Sequence, residues 1–291
     1  SLSMSTEPNT NQKFAAKHIP QWVFYVPFAY YFRVRLGPVA KWLSWALIYI
    51  FPTFFYSCLM APNGLTPAFI GNYVLLLIAV FTLYETGYIA NDTFATQREK
   101  QPAIRLYEHN LQHFYAHYRL IFSSRILLVF CALCILLLLH FSMQWCIACI
   151  AVVCIAPLFF AYNRIRNRYN VFLYPFLVFS RYLPFLLPYL TTANAYLVGW
   201  LFLSFPCINA IERFSMPKYR YRFMQYLIPD EKSKSLFRAA YYLLIALCAT
   251  VIALCSHSSF LPIVPIYILC VYRIIIYIIT RFYTPKNYLN G

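Results

Sequence analysis

Residues 84–105 read YETGYIANDTFATQREKQPAIR, and they join a long apolar run to the first strongly polar part of the chain. This stretch contains three carboxylates, although the whole chain has only 8 acidic residues. If the preceding helix continues through it, Glu85, Asp92 and Glu99 recur at steps of seven and share one face, which turns by only ~20° per step. An acid inside an apolar segment is costly, so Glu85 indicates a functional role. The alternative is a solvated helix end with ordinary surface charge.

The composition is that of a multi-pass membrane protein. Of the 291 residues, 62% are hydrophobic and 11% are charged, and the mean hydropathy is +0.60. Repeated apolar runs of about 20 residues match the thickness of a bilayer and exclude an ordinary soluble globular protein. No cleavable secretory signal is recognised. No Walker loop, dinucleotide fingerprint, GxSxG elbow or HExxH motif occurs, so the sequence indicates neither nucleotide-driven transport nor these hydrolase chemistries.

The sequence predicts an all-α, polytopic membrane helical bundle of eight or nine transmembrane helices. Residues 1–38 form a polar N-terminus with an interfacial aromatic segment, residues 39–282 form the bundle, and residues 283–291 form a tail. Polar segments at 91–120 and 212–237 interrupt the bundle. The expected helices lie at about 39–60, 67–90, 121–141, 143–162, 170–190, 194–211, 236–256 and 260–281.

The distribution of cations predicts the orientation. With eight spans both termini lie on one side of the membrane, and the short turns on the other side carry no Lys or Arg. The positive-inside rule then places both polar segments and both termini in the cytoplasm, here at a bacterial inner membrane. The net charge of +16 follows the same side, so we expect anionic lipid or phosphate as partners and no nucleic acid.

Two polar segments combine carboxylates with cations. The first begins at Asn91 and the second at Asn209, and each opens with an Asn and an acid before its cations. Carboxylates bind Mg2+, which usually bridges to substrate phosphates, while Arg or Lys holds the remaining phosphate charge. Acids, a metal and cations around a membrane cavity are what a lipid diphosphate site requires.

Arg181 lies inside the fifth predicted helix, which Pro175, Pro184 and Pro188 are expected to bend. A cation at this depth should face a cavity, an acid or a phosphate rather than lipid. The alternative is a structural arginine that snorkels toward the interface.

The first polar segment resembles the UbiA-type prenyltransferase superfamily, whose members have eight or nine helices with an acidic motif after helix 2 and another after helix 6. The first family motif is Asn-Asp-x-x-Asp-x-x-x-Asp. Asn91 and Asp92 match its start, Ala95 replaces the middle Asp, and Glu99 stands at the last position. A basic patch that contains a proline follows, as in the family, and includes Arg105.

The resemblance implies Mg2+-assisted transfer of a prenyl group from a polyprenyl (di)phosphate lipid to an unidentified soluble or lipid acceptor. The second family motif is reduced here to Asn209 and Glu212. The resemblance assigns catalysis to Asp92, Glu99 and Glu212, with Asp92 and Glu99 as metal ligands. The expected substrate-binding residues are Asn91, Arg98, Lys100, Arg105, Arg181, Asn209, Arg213 and Lys218. Two alternatives remain open: phosphoribose transfer from a soluble diphosphate donor to polyprenyl phosphate, and non-catalytic or transport-type binding of a polyprenyl lipid.

Overall fold

The computed structural model describes residues 16–98, 104–165 and 167–282. Throughout this part of the chain the regular structure is helical, and the one extended pairing is an isolated bridge between Lys17 and Leu106. The predicted all-α class is therefore confirmed.

In the ranges that the structure describes, ten helices follow short helical turns at Gln21–Phe24 and Tyr31–Leu36. They are α1 (Val39–Met60), α2 (Pro67–Arg98), α3 (Glu108–Leu139), α4 (Met143–Arg164), α5 (Asn170–Ser180), α6 (Tyr196–Ser204), α7 (Pro206–Phe214), α8 (Arg222–Leu227), α9 (Glu231–Cys255) and α10 (Leu261–Phe282).

Six of these helices, α1 to α4 together with α9 and α10, are long and apolar enough to cross a membrane. A seventh crossing results if α6 and α7, which meet at an angle of 47°, count as one bent span. The expected helix at 170–190 ends instead at Ser180, and two short 3-10 turns containing Pro184 and Pro188 follow it. Proline lacks the N–H that an α-helix needs, so these two residues break the predicted span.

The third helix begins at Glu108 rather than near residue 121, so it includes residues 108–120 of the predicted polar segment, which was expected to be partly helical. Asn110 and Phe114 are fully buried, whereas His109 and His117 are exposed. The first part of this helix is therefore amphipathic. Its polar face lowers the mean hydropathy, so a hydropathy profile does not show that it is continuous with the apolar span.

The N-terminal segment packs into the bundle instead of lying on the headgroups as predicted. Val23, Phe24 and Tyr30 are fully buried, in a hydrophobic cluster that includes Ile89 of α2 and Phe114 of α3. The segment therefore forms one wall of the bundle, and it brings its cations to the C-terminal end of α2.

Gly87 lets α2 and α4 approach closely. A Cβ atom at this position would overlap the ring of Phe159, which is buried on α4. Gly71, on the same helix, has no atom within 4 Å of an added Cβ.

We expect Gly87→Ala to destabilise the protein by about 1–3 kcal/mol, because the added methyl overpacks this contact. Gly71→Ala is the matched control, and it should be neutral or stabilising because alanine favours the helix by about 0.5–1 kcal/mol. Thermal unfolding of the purified protein in detergent measures both changes. Equal effects of the two substitutions would contradict the close approach.

Candidate functional site

Asp92 lies on a π-helical turn near the C-terminal end of α2, and its side chain is 1% exposed. Its Oδ1 accepts a hydrogen bond from Arg35 Nη2 at 2.5 Å and lies 3.3 Å from Arg105 Nε. Its Oδ2 accepts from Arg35 Nε at 2.9 Å and from the Tyr30 hydroxyl at 2.9 Å. Both oxygens are engaged, and the two-pronged contact with Arg35 is the strong geometry for an arginine–carboxylate pair. Asp92 therefore joins the N-terminal segment to α2.

The surroundings change the pKa values of Arg35 and Arg105 in opposite directions. Burial disfavours the charged form of Arg35, but Asp92 outweighs this effect and raises the pKa of Arg35 above its ordinary value. Burial, followed by the charge of Arg35, lowers the pKa of Arg105. Arginine still remains protonated at neutral pH, so two cations face one carboxylate here.

Glu85 has a structural partner for each of its oxygens. Its carboxylate accepts backbone N–H bonds from Phe28 at 2.6 Å, from Tyr30 at 2.8 Å and from Tyr31 at 3.1 Å. Arg125 Nη1 of α3 lies 3.4 Å from Glu85 Oε2, and both side chains are fully buried. These contacts give Glu85 a structural role, since it holds the N-terminal segment against α2 and α3.

Glu212 lies on α7 and has a different hydrogen-bond partner from those of Asp92. Arg238 of α9 donates from Nε to Oε1 at 2.5 Å and from Nη2 to Oε2 at 2.9 Å. No hydrogen bond or ion pair in the described part of the chain connects Glu212 with Asp92. Asp92 and Glu212 thus have different arginine partners, Arg35 with Arg105 for the first acid and Arg238 for the second.

These contacts bear on the expected Mg2+ site. The described residues hold no group of three or more His, Cys, Asp or Glu side chains arranged for a metal ion. Asp92 has both carboxylate oxygens bound to protein cations, so it has no free oxygen directed at a metal. Glu99 and Lys100 fall outside the described residues. The described side chains alone do not fit Mg2+, and no chemical step is assigned to the ion.

Arg181 follows the last residue of α5, where the predicted helix breaks, and it is 6% exposed. Its guanidinium carbon lies 5.2, 4.9 and 5.5 Å from the ring centroids of Tyr49, Tyr84 and Tyr182. Aromatic faces stabilise a desolvated cation by about 2 kcal/mol or more. They do not satisfy its hydrogen-bond donors, and Nε and Nη1 have no acceptor among the described residues.

Arg213 on α7 has similar surroundings. Its guanidinium carbon lies 4.7 Å from the ring centroid of Tyr174 and 5.7 Å from that of Tyr219, and Nη2 donates to the Tyr162 hydroxyl at 2.5 Å. Its Nε is buried and has no acceptor in the described part of the protein. Burial raises the pKa of Tyr219 to about 12, so this phenol stays neutral and adds no negative charge.

Ring contacts connect these arginines inside the bundle. The ring centroid of Tyr88 lies 5.5 Å from that of Tyr31, with the rings stacked, and 5.1 Å from that of Tyr84. The guanidinium carbon of Arg35 lies 4.5 Å from the Tyr88 ring centroid. Phe159 contacts Tyr84 at 5.0 Å and Tyr162 at 6.2 Å. We call the connected set the arginine–tyrosine layer: Arg35, Arg181, Arg213, Tyr31, Tyr84, Tyr88, Tyr162 and Tyr174. It contains three cations, and Asp92 is the carboxylate bound to it.

The other predicted substrate-binding residues are dispersed. Asn91 is half-buried on the same turn as Asp92, and Arg98 borders a groove between helices. Asn209 on α7 has a buried Oδ1 without a donor among the described residues. Lys218 is exposed, with its Nζ 4.9 Å over the Tyr219 ring.

The layer was only partly visible in the sequence. Arg181 was predicted from its place inside an apolar run and Arg213 from the family resemblance, but the tyrosines around them were not singled out. The pair Tyr84 and Tyr88, four residues apart on one face and next to an acid, was the available signal.

Comparison of the chain with protein-family models, with curated proteins and with solved structures found no match.

Proposed function

We propose that this chain is an integral-membrane transferase that binds a polyprenyl (di)phosphate, with the phosphate held by the arginine–tyrosine layer. One observation carries the proposal: Arg181 is 6% exposed, and its Nε and Nη1 have no acceptor among the described residues. A buried cation with two donor nitrogens that lack acceptors is costly within a bilayer. A phosphate oxygen is the acceptor that matches a guanidinium best, because it can take two parallel hydrogen bonds.

The charge of the layer supports the same ligand. Arg35, Arg181 and Arg213 bring three positive charges, and Asp92 neutralises one of them. Arg105 also faces Asp92, so the excess of positive charge is three, and such an excess suits a phosphate monoester or diphosphate. The faces of the surrounding rings are apolar, so the charge together with these apolar surroundings favours a prenyl phosphate over a soluble anion.

The chemistry proposed is cleavage of the bond between the first prenyl carbon and the diphosphate oxygen. The electron pair leaves with the diphosphate, whose developing charge Arg181 and Arg213 stabilise, and the acceptor then bonds to the prenyl carbon. Preorganised donors of this kind usually contribute more to catalysis than any other single effect. Tyrosine faces stabilise the cationic carbon. Mg2+, which commonly accompanies diphosphate groups, would add positive charge at the leaving group; the described side chains supply no ligand set for it, and no step is assigned to the ion.

The finer architecture belongs to the same proposal. Six long helices and the bent pair α6–α7 account for up to seven crossings, and the proposal assigns the eighth crossing of a UbiA-like bundle to the broken segment 170–190. An interrupted helix at membrane depth is tolerated where it lines a protein-enclosed site, and Arg181 lies at this interruption. The placement of both termini in the cytoplasm of a bacterial inner membrane is part of the proposal, on the distribution of cations.

A second candidate is a polyprenyl-phosphate-binding protein without metal-assisted transfer. The observation that favours it is that both acids are paired with arginines of the protein itself. Asp92 is paired with Arg35 and Arg105, and Glu212 is paired with Arg238 of α9. Binding that is tight and indifferent to Mg2+ and chelator, with no product formed, would favour this candidate over the transferase.

Arg181→Gln tests the proposed phosphate site. We expect the affinity for a short-chain polyprenyl diphosphate to fall by about 10- to 100-fold, which corresponds to the loss of a hydrogen bond to a charged group. Affinity for the matching polyprenol, which lacks phosphate, should be unchanged. Arg168→Gln is the matched control, because Arg168 also contacts a tyrosine, at 5.1 Å over the Tyr169 ring, but is exposed.

Binding to the purified protein in detergent is measured by titration with the lipid, and thermal unfolding checks that each variant is folded. Arg181→Lys, which keeps the charge but not the two-pronged geometry, should fall between the original protein and the glutamine variant. Unchanged diphosphate affinity in a folded Arg181→Gln variant would overturn the proposal.

A further inference from the structure

A groove of about 450 Å³ opens between α2, α3 and α4, on the side of α2 that does not face Arg181. Its walls are largely apolar and include Leu83 of α2 and Ala156 of α4. Ile126 and Phe160, which also line it, are 58% and 65% exposed. Because these side chains lie on membrane-spanning helices, the groove opens sideways toward lipid tails and not toward water.

The groove has one polar end. Along α2 it extends from Leu83 to Arg98, a length of about 20 Å at the usual rise per helical residue. Arg98 and Arg164 lie at the end where α2 and α4 terminate, and no carboxylate is among the described residues that line the groove. The apolar length is comparable to the ~15 Å depth of one leaflet of the hydrocarbon core, so the groove matches the shape of a lipid chain below an anionic headgroup.

Asn163 adds a hydrogen-bond acceptor beside these cations. Its Nδ2 donates to the backbone oxygen of Gly87 at 3.1 Å, which fixes the orientation of the amide. The Oδ1 is buried and has no donor among the described residues. Since a buried amide oxygen ordinarily has a hydrogen-bond partner, this atom requires a donor such as a hydroxyl from a bound molecule.

We infer that this groove is a binding site for an anionic bilayer phospholipid with a hydroxylated headgroup, of the phosphatidylglycerol type. One acyl chain lies along α2, the phosphate contacts Arg98 and Arg164, and a headgroup hydroxyl donates to Asn163 Oδ1. A zwitterionic headgroup fits less well, since its quaternary ammonium faces the two arginines and offers no hydroxyl to the amide.

The site is separate from the arginine–tyrosine layer. Phe159, which is buried, lies between them, because its ring contacts Tyr84 and Tyr88 on one side while it also lines the groove. The inference therefore does not rest on the proposed transferase function, and a change at Arg181 should not alter phospholipid binding in the groove.

The test measures retention of dioleoyl phosphatidylglycerol and dioleoyl phosphatidylcholine by the purified full chain, using native mass spectrometry after equal addition of both lipids. We expect phosphatidylglycerol to be retained preferentially. Each arginine near a lipid phosphate contributes about fivefold, so Arg98→Gln combined with Arg164→Gln should lower that retention by about 25-fold. Ala156→Trp, which fills the apolar part, should lower retention of phosphatidylglycerol without removing a charge.

Two variants serve as controls. Arg119→Gln removes an exposed arginine of α3 that does not line the groove, and Arg181→Gln alters the other site. Both should retain phosphatidylglycerol as the original protein does. Equal retention of the two lipids, unchanged retention in the double arginine variant, or loss of phosphatidylglycerol in Arg181→Gln would overturn the inference. So would a double variant that loses added polyprenyl phosphate while it keeps phosphatidylglycerol.

Discussion

Glu85→Gln should destabilise the folded protein by about 3–5 kcal/mol, the usual cost of removing one partner from a buried ion pair. The change leaves the Arg125 guanidinium buried, 1% exposed, without an acidic partner. It also places an amide N–H₂ where the carboxylate accepts three backbone N–H groups, of Phe28, Tyr30 and Tyr31. The N–H₂ group of the glutamine would therefore face backbone N–H groups, and two donors cannot form a hydrogen bond with each other.

A double-mutant cycle separates the pair from the rest of the site. Arg125→Met together with Glu85→Gln should be less destabilising than the sum of the two single changes, because no buried charge is left unpaired. Glu108→Gln is the matched control, since Glu108 is an exposed acid at the start of α3, and its effect should be within about 0.5 kcal/mol. Thermal and denaturant unfolding in detergent measure all four proteins. A stable Glu85→Gln variant would show that the pair does not anchor the N-terminal segment.

The long apolar helices were predictable because hydrophobicity and chain breakers act locally. The first was expected at 39–60 and lies at Val39–Met60, and the second and the last begin at or within one residue of the expected position. Local breakers also explain the interrupted segment, where Pro184 and Pro188 were recognised as bends but the helix stops altogether. The difference depends on whether neighbouring helices satisfy the freed backbone groups, which the sequence alone does not specify.

The ion pairs were not predictable, because they depend on which helices become neighbours. Glu85 and Arg125 are 40 positions apart and lie on different helices, and the remaining partners of Glu85 are backbone groups of an N-terminal segment that was expected on the membrane surface. A pattern of acids at steps of seven suggested one shared role for Glu85 and Asp92. The structure divides it between two sets of arginines, Arg125 for the first acid and Arg35 with Arg105 for the second.

Asp92 is the residue at which the two interpretations of the polar stretch make opposite predictions. If Asp92 bridges cations, Asp92→Asn leaves Arg35 and Arg105 without their carboxylate. We expect the free energy of unfolding to fall by about 3 kcal/mol, at the lower end for a buried pair because both arginines are partly exposed. The N-terminal segment should then detach from α2, and trypsin should cleave faster at Arg33. As a metal ligand, the same residue would affect Mg2+ dependence and leave the fold intact.

Arg35→Gln decides between them. If Asp92 mainly holds the N-terminal segment, Arg35→Gln should reproduce the instability and faster cleavage of Asp92→Asn, and the double variant should add little because both changes break one contact. Arg33→Gln is the matched control: Arg33 lies two residues away and 4.9 Å over the Trp22 ring, without a carboxylate partner in the described chain. Because it also removes the Arg33 cleavage site, its stability is compared by thermal unfolding alone. An Asp92→Asn protein that unfolds normally, resists trypsin and loses only its response to Mg2+ would instead establish Asp92 as the metal ligand that its place in the Asn91-Asp92 motif predicts.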